Sequence, residues 1–321
     1  MPTDSTPASP NRARILVSFA CVYLFWGGTF LAMRYSLNVL PPFMIVSIRF
    51  VVAGAILLAI CAIRGMRMWP GKREFGLLTI MGVLMLGCGN TALLWSEQYL
   101  STGLASLLVA SIPLFAALIE VVLPHGEGLP ARGWAGAAIG FIGLAFLVSP
   151  RFHNSRHDDS REMIAIVVIL TGSFVWTAGS VIARRTTINI SGFASAGWQM
   201  LLGGLFTTII MFTTGGYRGA HWGLEAWASI FYLVTFGSLV GYTAYIYLLN
   251  NVAVAKVTTY AYINPIVAVI LGAIFLRERF VLAEYVGMVS ILLAVFLVTS
   301  SKLKTGAVPV EVRDIAVGGK A

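Results

Sequence analysis

Ten stretches of about twenty mostly apolar residues follow one another along this chain, and each is long enough to cross a bilayer as a helix. They run over 15–35, 41–63, 75–96, 101–123, 131–149, 163–183, 192–214, 225–249, 253–275 and 281–300. Of 321 residues, 58% are hydrophobic and only 11% charged, with a mean hydropathy of +0.85. Soluble domains carry about 25% charged residues. A soluble fold cannot hide this much apolar surface, so the expected fold is all-α, a polytopic membrane protein with ten transmembrane helices.

The two halves echo one another. Trp26, Arg34, Phe43 and Gly54 recur 150 residues later as Trp176, Arg184, Phe193 and Gly204. Pro113 and Pro265, Glu127 and Glu278, and Gly136 and Gly287 continue nearly the same register. Each copy holds five spans, so the second must run through the bilayer upside down. The expected organisation is a tail over 1–14, a first five-helix repeat over 15–149, a linker over 150–162, a second repeat over 163–300 and a tail over 301–321. Inverted-topology repeats are an architecture of secondary transporters, which handle solute near the midplane between the repeats.

Basic residues in the loops set the orientation. With the N terminus inside, thirteen Lys and Arg fall in or beside the inner segments and tails and six fall outside; Arg64, Arg67, Lys72 and Arg73 form the strongest inner block. Both termini are therefore expected in the cytoplasm. The net charge of +9 comes from these short loops. No basic stripe interleaved with aromatics is present, so nucleic acid is not an expected partner. Cys21, Cys61 and Cys88 stand alone within apolar runs and read as small core hydrophobes.

Several motifs carry a resemblance to a known family. In the first half they are Trp26-Gly27-Gly28-Thr29, the Arg49-Phe50 pair, and Pro113 followed by Glu127 and Gly136. In the second they are Trp198-Gln199-Met200, Asn264-Pro265-Ile266-Val267-Ala268, Arg277-Glu278-Arg279 and Gly287. Over roughly residues 15–300 the chain resembles a drug/metabolite transporter of the EamA type. That resemblance implies two five-helix units in tandem and solute transport, usually export. It names no substrate.

Depth selects the candidate solute site. Trp26 lies about 16 Å into the first span at 1.5 Å per residue, close to the middle of a hydrocarbon core about 30 Å thick. Trp176, Pro113 and Pro265 fall at similar depth. A proline within a helix frees the carbonyl four residues earlier, here those of Val109 and Ala261. Such carbonyls need a partner or a wet cavity. Thr258, Thr259, Tyr260, Tyr262 and Asn264 crowd polar groups before Pro265, and Tyr260 and Asn264 share one helix face. Tyr242, Tyr245, Asn90 and Trp95 extend the set, with Asn90 matching Tyr242 at an offset of 152. Arg49 lies about 10 Å along the second span. It reads either as a guanidinium that holds a substrate carboxylate or as a structural bridge; its counterpart Gln199 is uncharged.

Glu120 and Lys256 are expected near the cytoplasmic ends of the fourth and ninth spans, as a gating pair across the repeat interface. Glu97, Glu278 and Glu284 fall at helix ends, where solvated or turn-capping roles are expected. His125, His153, His157 and His221 all lie in loops, with no His-Glu-x-x-His or Gly-x-Ser-x-Gly pattern, so no enzyme is expected. His153, His157, Asp158 and Asp159 read as a solvated loop, and no metal or other cofactor is expected. Gly136-x-x-x-Gly140 and Gly237-x-x-x-Gly241 permit close helix crossings but leave the oligomeric state open. The expected function is secondary transport by alternating access in a bacterial plasma (inner) membrane. The expected solute is a small amphipathic metabolite, such as an amino acid or a derivative, moved outward. A drug or sugar-nucleotide carrier on the same fold, and a channel or structural membrane protein, are the alternatives.

Overall fold

A computed structural model describes residues 12–124, 130–153, 159–252, 257, 259–279 and 281–305. Those residues form ten helices and no strand. They are α1 (Arg12–Leu37), α2 (Pro42–Ile63), α3 (Lys72–Ser96), α4 (Thr102–Val122), α5 (Ala131–His153), α6 (Asp159–Arg185), α7 (Gly192–Thr214), α8 (Leu224–Leu249), α9 (Tyr260–Phe275) and α10 (Leu282–Thr305). Seven are long and apolar enough to cross a membrane. The other three contain shorter apolar runs over Ala131–Phe146, Ile263–Phe275 and Tyr285–Leu297. The protein is an all-α polytopic membrane protein.

Local sequence sets the helix boundaries. Pro42 opens α2 in the first turn, where its missing N–H costs nothing. The Ser101 hydroxyl accepts from the Leu104 amide at 3.3 Å, and the Ser191 hydroxyl from the Ala194 amide at 3.1 Å, capping α4 and α7. Gly215 closes α7 with φ +69°, a left-handed conformation that a Cβ would disfavour.

The repeat is visible in which helices touch. Equivalent helices pair with each other, α2 with α7 and α5 with α10. α1 packs on α8 and α9, while α6 packs on α3 and α4. That exchange is what a two-fold axis between two five-helix units produces, and an odd number of spans per unit inverts the second. The α2–α7 seam is tight enough to exclude side chains. A Cβ on Gly54 would lie 2.5 Å from the Leu201 amide nitrogen, and one on Gly204 would lie 2.7 Å from that of Val51. Small residues at such crossings let the backbones approach, the main source of helix attraction where lipid is already apolar.

Three spans contain π-helical stretches: Val22–Trp26 in α1, Gly82–Gly89 in α3 and Leu233–Val240 in α8. The last two occupy matching positions in the two repeats. Such wider turns accommodate an extra residue and concentrate at functional sites. α4 differs from expectation: the helix breaks at Ala110–Ser111 and restarts, so Pro113 sits in the first turn of the second half. Pro265 instead stays inside α9. The helix break removes the clash that a mid-helix proline would otherwise create.

Candidate functional site

A cavity opens between the repeats, lined by α1, α2, α3, α4, α6, α8 and the first turns of α9. It encloses about 700 Å³ of space unfilled by protein atoms, part of it open to solvent. An aromatic group forms one wall. The Trp26 ring meets Trp176 edge-on at 6.1 Å, Tyr260 edge-on at 5.3 Å and Tyr245 at 5.0 Å. Trp26 is fixed by its indole N–H, which donates to the Gly237 carbonyl in the π-helical part of α8 at 3.0 Å. Gly241 is a glycine because the Trp26 indole occupies the place of its Cβ.

Arg49 supplies the charge. It lines the cavity and is 6% exposed, yet no carboxylate pairs with it among the described residues. Nε donates to the Ser238 hydroxyl at 2.8 Å and NH1 to the Asn90 side-chain oxygen at 3.4 Å, with Met33 sulfur at 4.0 Å. Its guanidinium carbon lies 4.8 Å from the centre of the Phe50 ring. A buried cation is expensive unless paired and hydrogen-bonded, and here neutral groups do all the holding. The two-fold counterpart is differently used. Tyr242 donates to Gln199 Oε1 at 2.7 Å, and Gln199 Nε2 donates to the Ser195 hydroxyl at 3.1 Å. Arg49 with Asn90 and Gln199 with Tyr242 are thus the same contact in the two repeats, cationic in the first and neutral in the second. Two further polar atoms of lining residues are buried without a well-formed hydrogen bond: Asn264 Oδ1, an acceptor, and Trp176 Nε1, a donor.

The sequence profile of the EamA-like transporter family matches residues 14–149 and again residues 163–300. This chain belongs to the EamA-like transporter family. The uncharacterized inner membrane transporter YedA of Escherichia coli is 34% identical over 292 residues, covering 90% of this chain and 92% of YedA. The uncharacterized transporter YvbV of Bacillus subtilis is 24% identical over 92% of this chain and 95% of its own length. A chloroplastic WAT1-related protein of Arabidopsis thaliana is 25% identical over 86% of this chain and 67% of its own. A solved crystal structure superposes over 90% of this chain and 98% of its own with a TM-score of 0.66 at 19% identity, a likeness of fold. The protein is accordingly a membrane-embedded transporter of a small-molecule solute.

Within this EamA-like chain, seven of the residues singled out above lie together on the cavity wall: Trp26, Arg49, Asn90, Trp176, Tyr242, Tyr260 and Asn264. Four do not line it. Trp95 lies beyond Asn90 in α3 and meets the Tyr99 ring at a tilt, the centres 5.0 Å apart. Tyr245 forms a second layer behind Trp26 and Tyr260. Pro113 and Pro265 shape α4 and α9 while their neighbours Ile112 and Asn264 face the cavity. Thr29, Met33 and Ser173 also line it, and Ser238 positions Arg49. Thr29 belongs to the Trp26-Gly27-Gly28-Thr29 motif, whereas Met33, Ser173 and Ser238 give no sequence signal beyond helix periodicity.

Among the described residues Glu120 meets Arg185; its expected partner Lys256 lies outside them. Glu120 accepts from Arg185 of α6 at 2.8 Å, because the ends of α4 and α6 meet there; Arg185 also donates to the Pro124 carbonyl at 3.1 Å. Lys256 lies outside the described residues, as do Thr258, Glu127, His125, His157 and Asp158. Glu278 has a capping role, though on a helix of the other repeat. Arg277, at φ +54°, turns the chain so that the Glu278 carboxylate accepts from the Thr102 and Gly103 amides at 2.7 and 3.1 Å. It thus closes the N terminus of α4, where a negative charge is favoured. Glu97 departs from the expectation of a solvated end: it is fully buried.

Proposed function

We propose that this protein is a secondary carrier that moves small amphipathic metabolites out of the cytoplasm, amino acids or their derivatives foremost. The two five-helix repeats would rock against each other about the cavity and expose it to each side in turn. One observation carries this reading: a buried guanidinium that pairs with no carboxylate among the described residues lines a cavity between the repeats walled by tryptophan and tyrosine. A solute carboxylate completes Arg49 by the charge-assisted pairing for which its planar fork is suited. The apolar or aromatic part of the solute packs on Trp26, Trp176 and Tyr260, and Asn264 Oδ1 accepts a hydrogen bond from its amine or amide.

Two interlocked inverted repeats with matched π-helical stretches in α3 and α8 support a carrier over a channel. By analogy with YedA, the proposed location is a bacterial inner membrane, and the distribution of Lys and Arg supports cytoplasmic termini.

The test is a metabolite profile of the growth medium. Cells overproducing the protein should enrich the medium in a small set of carboxylate-bearing amphipathic solutes relative to cells lacking it. Arg49→Gln should abolish that enrichment at equal protein level. An unchanged medium, or enrichment of cationic or uncharged solutes, would overturn the proposal.

A further inference from the structure

Glu97 closes the C-terminal end of α3, just beyond the span, in a setting unlike that of the other carboxylates. Its side chain is 0% exposed, and both carboxyl oxygens are buried without a hydrogen-bond partner. The surrounding contacts explain why. Ser96 donates to the Ala165 carbonyl of α6 at 2.8 Å, locking the end of α3 to α6. Leu100 and Thr102 are buried beside it, and the Thr102 hydroxyl is likewise unpartnered.

No charged neighbour among the described residues hydrogen-bonds the carboxyl. From α1, Arg34 donates to the backbone carbonyl of Glu97 at 2.6 Å, not to its carboxyl. From the turn between α9 and α10, Glu278 is committed to the α4 amides, and Arg277 and Arg279 flank it. α4 offers Thr102 and Gly103, which are uncharged. α6 carries Arg161 and Glu162 about one turn from Ala165, at its outer end. A carboxylate cannot be dehydrated without hydrogen bonds or an ion partner unless it becomes neutral. Burial holds the Glu97 carboxyl well above the usual carboxylate range; Arg34 opposes that rise and Glu278 adds to it.

We propose that Glu97 is a proton-binding site: its carboxyl carries a proton while the packed end formed by α1, α3, α4, α6 and the α9–α10 turn is closed, and releases it to water when that end opens. One O–H bond breaks, and one proton passes to the solvent per opening. The sign follows from linkage. The closed form binds the proton more tightly, so closure is complete below the carboxyl's solvated range. It weakens as pH rises toward the raised value, by about tenfold per pH unit at most for one proton. The proposal rests on the carrier reading only for the opening motion; the protonation itself does not require transport.

The experiment uses the full chain in lipid nanodiscs without added solute. Infrared difference spectroscopy should show the carbonyl stretch of a protonated carboxyl at neutral pH. The band should vanish in Glu97→Gln and persist in Glu120→Gln and Glu162→Gln. In a Cys21→Ala, Cys61→Ala, Cys88→Ala background, Leu100→Cys reports opening through its labelling by a water-soluble maleimide. After correction for thiolate fraction, labelling should accelerate with pH when Glu97 is present and stay flat in Glu97→Gln. Absence of the band in the wild-type protein overturns the proposal even if Glu97→Gln fails to fold. So does a band that survives Glu97→Gln, or a labelling profile indifferent to that substitution. Both readouts remain valid if no solute flux is ever found.

Discussion

The α2–α7 seam gives a sharp mutational test of the two-fold packing. In Gly54→Ala the new methyl carbon would lie 2.5 Å from the Leu201 amide nitrogen and 2.9 Å from the Gly197 carbonyl oxygen. Ordinary contact begins at 3.4 Å, so the helices must part by 3.4 − 2.5 = 0.9 Å. For Gly204→Ala the nearest atom is the Val51 amide nitrogen at 2.7 Å, which requires 3.4 − 2.7 = 0.7 Å. Both obstacles are backbone, which cannot rotate away. Overpacking of this kind costs about 1–3 kcal/mol. Alanine recovers up to about 1 kcal/mol through helix propensity. With the full propensity gain subtracted, the expected net loss is up to about 2 kcal/mol for either substitution. Gly76→Ala is the control: it also lies in a helix, α3, but a Cβ there meets nothing within 4 Å. Fluorescence-detected size-exclusion chromatography after stepwise heating ranks the three proteins. Gly54→Ala and Gly204→Ala should both lose the monodisperse peak at lower temperature than wild type, and Gly76→Ala should not. Equal stability of all three, or damage from only one of the seam variants, refutes the symmetric seam.

The other expectations are read in the same assay. Glu278→Gln keeps the shape of the α4 cap but removes its charge, and should cost about 0.3–2 kcal/mol. Tyr242→Phe leaves Gln199 Oε1 buried without its donor and should cost about 1–3 kcal/mol. Glu120→Gln should cost less than about 1 kcal/mol, because its partner Arg185 is 37% exposed and screened by water. A larger loss there would reveal a structural role that the exposed pair does not account for.

Much of the architecture was legible in the sequence because membrane spans advertise themselves by length and apolarity, and the repeat by residues that recur at one spacing. The cavity wall was partly legible. Trp26, Trp176, Arg49 and Asn264 are side chains that lipid would not tolerate at depth without a reason. Their depth marked them before their contacts were known. Trp95 and Tyr245 carry the same chemistry but face other neighbours, a difference set by rotation about the helix axis. The π-helical stretches of α3 and α8 shift that rotation partway along each span, so periodicity counted from one end fails at the other. Glu97 was illegible for another reason. A carboxylate at a helix end reads as solvated, and only the docking of α1, α6 and the Glu278 turn removes its water. The partner of Glu120 depends likewise on where α4 and α6 terminate in space, which loop composition does not encode.

Counterflow in proteoliposomes tests the central claim most directly. The full chain is reconstituted in vesicles loaded with an unlabelled aromatic or aliphatic amino acid, and the labelled compound is added outside in trace amount. A carrier with its solute site at Arg49 should show a transient accumulation of label above equilibrium, saturable with internal solute and lost in folded Arg49→Gln. Flux that rises linearly with concentration without an overshoot, or an overshoot that Arg49→Gln leaves intact, would contradict the account.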